Sequence, residues 1–192
     1  MQDLQKFVEP LIEPTWISSL SQTLIKLTAP GIPDIYQGCE VWNYRLVDPD
    51  NRLPGDFGSL RQLMNEMRTL DADAIWERRA TGMPKMLVIQ KTLQTRRNDP
   101  DVFGPKGAYQ GLPARGNKSG HVVAYMRSRK AVVVVPRLLI GLAGDWEDTA
   151  LTLPEVTWKN VFTGDDVAGG AVQLKDLLSR FPVALLVRGG EE

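Results

Sequence analysis

Residues 27–56 read LTAPGIPDIYQGCEVWNYRLVDPDNRLPGD, and the fold class turns on how this stretch is taken. It begins as the tail of an apolar helix and breaks at Pro30-Gly31. Pro33 can open a strand but cannot donate within one, so Asp34–Gln37 reads as a short buried strand. Gly38 permits a sharp exit, after which Glu40, Trp42 and Tyr44 crowd a polar and aromatic loop. The loop ends in Asp48-Pro49-Asp50-Asn51-Arg52, a run dense in turn-forming and hydrogen-bonding groups. A helix signal resumes near Ser59, a plausible N-cap. Helix, strand, loop and helix in this order make one unit of a (β/α) barrel, with chemistry expected at the strand's C-terminal end.

Upstream, Leu4, Phe7, Val8, Leu11 and Ile12 recur at helical spacing, and Pro14 forces a break or a new first turn. The pattern resumes from Trp16 through Leu27 and is too apolar for a free surface helix. Downstream, Leu60, Leu63, Met64, Met67 and Leu70 mark a second helix, and Asp71 opens a short third one stopped by Gly82 and Pro84. Met86 to Arg97 spaces as a further helix ending before Pro100, although Leu87-Val88-Ile89 alone also fits a strand. Arg78-Arg79 and Arg96-Arg97 read as solvated faces.

After Pro100 the texture changes. Glycines and prolines punctuate β-branched runs at 121–127, 131–136, 149–153, 157–163, 171–174 and 183–187. Such spacing predicts an antiparallel β-sandwich with its own core. The expected class is α+β: a helix-strand-helix remnant of a (β/α)8 barrel over residues 1–100, then the sandwich over 101–192.

The stretch Ala29 to Glu40 resembles the eighth-strand segment of the α-amylase superfamily (glycoside hydrolase family 13), where a proline-rich entry precedes Tyr-x-Gly-x-Glu. The longer string through Val47-Asp48-Pro49-Asp50-Asn51-Arg52 is similar to one branch, the maltooligosyltrehalose synthase family. Ser19–Thr28 resembles that family's seventh barrel helix. His121–Arg127, Ala131–Arg137, Trp146 with Asp148-Thr149, and Phe181–Leu186 follow its C-terminal pattern. Leu53 and Gly55 depart from it, standing where Arg and Val are common.

The resemblance implies the C-terminal portion of an intramolecular transglycosylase that needs no cofactor and acts on maltooligosaccharides. The family's three catalytic carboxylates lie upstream of anything here, so no catalytic residue is expected in this chain. Tyr36, Glu40, Trp42, Asp48, Asp50, Asn51 and Arg52 are the expected substrate-binding residues. Each keeps an ordinary alternative. Tyr36 fits core packing, Trp42 fits loop closure, Glu40 fits bracing of a neighbouring loop, and Asp48 and Asp50 fit turn caps. Arg52 offers a rigid fork for a carboxylate. The rival reading is a free-standing glycan-binding or scaffold module.

Composition narrows the partners. Lys plus Arg and Asp plus Glu each number 23, so the basic excess that nucleic acid or an anionic membrane usually requires is missing. Cys39 and His121 are each alone, which leaves no disulfide framework and no histidine-rich metal site. With no apolar run near 18 residues and no basic signal-like start, a cytoplasmic protein is expected. An incomplete barrel would leave strand edges bare, so self-association of the chain alone is also expected.

Overall fold

Every position of Ala131–Pro136 is buried, and this strand fixes the layering of the molecule. Its side chains alternate between two faces. Ala131, Val133 and Val135 join one hydrophobic cluster, while Val132 and Val134 join another. A strand covered on both faces has no polar side to show, which is why it reads as an unbroken valine run.

The computed structural model describes residues 2–45 and 54–189. In chain order its helices are α1 (Gln2–Val8), α2 (Ile12–Thr28), α3 (Phe57–Met67) and α4 (Ala72–Glu77). They continue with α5 (Met83–Asn98), α6 (Pro100–Phe103), α7 (Leu139–Leu142) and α8 (Leu174–Leu177). The strands are β1 (Tyr109–Gly111), β2 (Val122–Arg127), β3 (Ala131–Pro136) and β4 (Ala150–Leu153). Then come β5 (Trp158–Asn160), β6 (Asp166–Val167), β7 (Gly170–Gln173) and β8 (Ala184–Arg188).

Six strands form one antiparallel sheet in the order β1-β2-β3-β8-β5-β6. β4 and β7 pair separately as a two-stranded ribbon. One sheet face packs Tyr125, Val133, Val135, Phe181 and Leu185 against Leu20 and Leu24 of α2 and Met83, Leu87 and Val88 of α5. The other packs Met126, Val132, Trp158 and Leu186 against Leu151 and Leu153 of the ribbon, with Trp146 and Leu174. The first cluster draws on residues from both sides of position 100.

The helix starts follow local chemistry. Asp71 caps α4 by accepting from the Ala74 N–H at 2.9 Å. Asp56 rather than Ser59 caps α3: its Oδ1 accepts the Ser59 N–H at 3.0 Å and its Oδ2 the Ser59 hydroxyl at 2.6 Å. Those two bonds, hydroxyl first, hold the Asp56 carboxyl below the usual range. Leu87-Val88-Ile89 lies inside α5, and Pro100 opens α6. β1 and β6, three and two residues long, carry too short a pattern to be read in advance.

One expectation fails. Asp34–Gln37 forms no strand: the backbone from Ile32 to Tyr36 is irregular, and Asp34, Tyr36 and Gln37 are exposed. A barrel strand needs a hydrogen-bonding neighbour on each side. All described strands lie at residue 109 or later and pair among themselves.

Candidate functional site

Gly82 carries the segment that follows α2. Its φ of +83° is the left-handed conformation that L side chains rarely adopt, and it ends one 3-10 turn while starting α5. A Cβ here would lie 2.6 Å from the Val41 Cβ and 2.9 Å from the Trp42 nitrogen. Glycine therefore lets residues 41–42 lie directly against the N-terminus of α5.

Trp42 is held by two contacts, one of them braced in turn. Its indole N–H donates to the Arg79 carbonyl at 2.6 Å. Its ring stacks on Trp16 at 6.1 Å between centroids, the planes 9° apart. The Trp16 indole in turn donates to the Tyr44 hydroxyl at 2.6 Å. Arg79 completes the joint, its guanidinium 5.4 Å from the centre of Trp76 and its Nε donating to Glu13 at 3.0 Å. The solvated face expected for Arg79 is instead a tie between α2 and α4.

Lys85, on the first turn of α5, donates from Nζ to the Val41 carbonyl at 3.1 Å. Burial pushes its ammonium below the ordinary lysine value; Cys39 and Glu40 push back, and Lys26 adds to the depression. Glu40 lines a cavity of about 250 Å³ between α3 and α5. Its Oε2 is buried and takes no hydrogen bond among the described residues.

Before this joint the chain turns at Tyr36–Cys39, where the Cys39 N–H donates to the Tyr36 carbonyl at 3.1 Å and Gly38 sits at φ +80°. Tyr36 is half exposed on this turn. Of the seven substrate-binding residues expected from the sequence, Tyr36, Glu40 and Trp42 thus fall on one segment. Asp48, Asp50, Asn51 and Arg52 lie outside the described residues.

Behind the segment, the end of α2 is anchored by two arginines that sequence reading did not single out for this. Arg127 is fully buried, and its guanidinium is surrounded by backbone carbonyls. It donates to Thr28 at 2.8 Å, Ala108 and Gly107 at 3.2 Å, and Gly104 at 3.4 Å. Arg96 donates to the Leu27 carbonyl at 2.6 Å while lying 5.6 Å from the Phe103 ring centre. Both thus meet the carbonyl end of α2, where a cation is favoured. Burial pushes both guanidinium groups below the ordinary arginine value. The one clue in the sequence is an arginine closing an apolar strand, with its acceptors too distant to be read.

A third arginine joins the two halves of the chain. Arg180 donates through Nη1 to both oxygens of Asp165, at 2.7 and 2.9 Å, and through Nε to Asp73 at 2.8 Å. The Asp73 bond first, then Asp165, raises the guanidinium above its ordinary value. These carboxylates are acceptors held in an ion triad. Among the described residues, no group of three or more His, Cys, Asp or Glu could hold a metal ion, and no helix is long and apolar enough to cross a membrane.

No family model matches the chain. A curated relative from Mycobacterium tuberculosis (strain H37Rv), named a putative maltooligosyl trehalose synthase, is 37% identical over 171 residues, 88% of this chain. The solved maltooligosyltrehalose synthase of Arthrobacter ramosus is 35% identical over 97% of the chain, with a TM-score of 0.85. A hypothetical maltooligosyl trehalose synthase from Sulfolobus tokodaii is 26% identical over 98%, with a TM-score of 0.68. The chain spans 20% of the curated relative's length and 24% and 23% of the two solved chains.

Proposed function

We propose, from a likeness to the C-terminal portion of maltooligosyltrehalose synthases that runs along nearly the whole chain, that this is the corresponding portion of such an enzyme. In this reading residues 1–100 close the (β/α)8 barrel of the parent polypeptide and carry its following helices. Residues 101–192 form its C-terminal β-sandwich domain. The parent converts the reducing-end α-1,4 linkage of a maltooligosaccharide into the α,α-1,1 linkage of trehalose, without a cofactor.

The chemistry divides accordingly. Glycosyl transfer with a covalent intermediate needs two carboxyls flanking one glycosidic bond, about 5–5.5 Å apart. In the parent those groups belong to the polypeptide outside this chain. The segment from Tyr36 to Arg52 supplies one wall of the site's mouth, with Tyr36, Glu40, Trp42, Asp48, Asp50, Asn51 and Arg52 facing the glucan. Such a wall keeps water from the glycosyl intermediate, so that the released glucose re-enters through its anomeric hydroxyl.

The observation that carries the reading is 35% identity at a TM-score of 0.85 over 97% of the chain. Maltopentaose incubated with the chain alone, and with a long polypeptide that contains it, tests it by chromatography. We expect a trehalose-ended product from the long form only. Turnover by the purified chain alone, or none by the long form, overturns it.

A further inference from the structure

The cavity beside Glu40 has the chemistry of a sugar-ring site, and we propose that it takes one pyranose ring of a neutral α-glucan. The inference rests on the proposed substrate class and gives Glu40 of the mouth segment a particular place in it, the cavity between α3 and α5. The walls are apolar: Phe57, Leu60, Met64, Met86 and Ile89 line a space of about 250 Å³. One polar atom stands out, the buried Glu40 Oε2, which receives no hydrogen bond among the described residues. A desolvated carboxylate oxygen without a donor is costly, so a ligand that supplies one gains the difference.

Charge decides which donor. Lys85 already sets an ammonium in the field of Glu40, and Arg61 lines the same cavity. Two cations to one carboxylate disfavour a cationic ligand, and an anion would face Glu40 itself. A neutral O–H donor meets neither objection. The ligand must also present carbon to Phe57, Leu60 and the two methionines, and a hydroxyl to Glu40 and to Gln90, which also lines the cavity. A pyranose, with apolar C–H faces and an equatorial belt of hydroxyls, presents both.

The test is methyl NMR of the 192-residue chain with labelled methionine, titrated with maltotriose and, separately, with hexylammonium. Met64 and Met86 report the cavity directly, while Met126, buried against the far sheet face, is the internal control. We expect saturable shifts of Met64 and Met86 with maltotriose and none at Met126. Glu40→Leu and Glu40→Gln, each checked for an unchanged Met126 signal, should weaken binding at least tenfold. Shifts with hexylammonium but not maltotriose overturn the assignment in favour of a cationic group, and no shift with either overturns the site. Lost cavity binding with trehalose-forming activity of the long polypeptide intact removes this site alone. Cavity binding by a long form without that activity removes the proposed function alone.

Discussion

The guanidinium of Arg127 donates to the carbonyl of Thr28, 99 positions earlier, at 2.8 Å. That bond ties the last turn of α2 to the end of β2, beside the valine-rich β3, and so sets where the segment leading to Trp42 begins. Its hydrogen-bond partners among the described residues are backbone carbonyls and no carboxylate; four carbonyl dipoles hold the charge. Buried acceptors left without donors cost about 1–3 kcal/mol each, though partial relaxation recovers some of it. Arg127→Met should therefore lower stability by about 2–4 kcal/mol in denaturant unfolding. Arg127→Lys, a single point donor in place of a fork, should recover less than half. A fully stable methionine variant would show that the carbonyls find other donors.

The Tyr125 hydroxyl lies 2.6 Å from the Thr28 hydroxyl in the same buried corner. Burial, opposed by that hydrogen bond, pushes its pKa up to about 12. The unfolded chain ionises near 10, so the folded form holds its proton more tightly across this window. Tyr125 then contributes stability that is fully present below about pH 10 and is lost as pH rises toward about 12. Tyr125→Phe should cost about 1 kcal/mol at pH 7 for the lost bond. It should also flatten the alkaline fall in stability between about pH 10 and pH 12 relative to the parent chain. Parallel alkaline slopes for the two proteins would contradict the assignment.

How much of this was legible depends on how local the cause is. The unbroken Val132–Val135 run announces a strand covered on both faces, and Asp71 three residues before the Ala74 N–H announces a helix start. Arg127 has no such signature, because its acceptors are backbone carbonyls 19 to 99 positions away. Asp34–Gln37 failed for the same reason in reverse. Its Pro entry and apolar Ile35 are the local marks of a strand, but pairing belongs to neighbours, and the described strands all lie elsewhere. In the candidate site, the aromatic residues at 42 and 44 stood out by type. Their partners, the Arg79 carbonyl and the Trp16 ring, did not.

Gly82→Ala tests the joint between α5 and the Trp42 segment. The new Cβ meets backbone as well as side chain, and its φ of +83° is strained for alanine. The substitution should destabilise by on the order of 1–3 kcal/mol. It should also speed amide exchange at residues 41–45 more than in the sheet, because the displaced atoms belong to Val41 and Trp42. Exchange that rises equally throughout would mean that residues 41–42 do not bear on Gly82 in particular.

The last prediction concerns residues 34–37 and the apolar surface around them in sequence. Ile32 is 98% exposed and Phe7 67%, and Leu4, Tyr36, Tyr44 and Phe57 are also exposed. Eight of the twelve large hydrophobics exposed among the described residues fall between positions 4 and 57. Apolar area in water costs roughly 25 cal/mol per Å², so this concentration favours cover. If the proposed function holds, the remaining barrel of a long polypeptide provides it, and Asp34–Gln37 gains a strand neighbour on each side. The chain alone should then self-associate as concentration rises, read by light scattering after gel filtration. Its amides at 34–37 should exchange fast, while in the long polypeptide they slow by on the order of 100-fold or more as ladder bonds form. Phe7→Lys and Ile32→Lys should each shift the chain toward monomer without lowering its stability, since neither side chain is buried in it. Equally fast exchange at 34–37 in the long form would show that the segment is no strand there either, and would leave the barrel assignment of residues 1–100 without its central element.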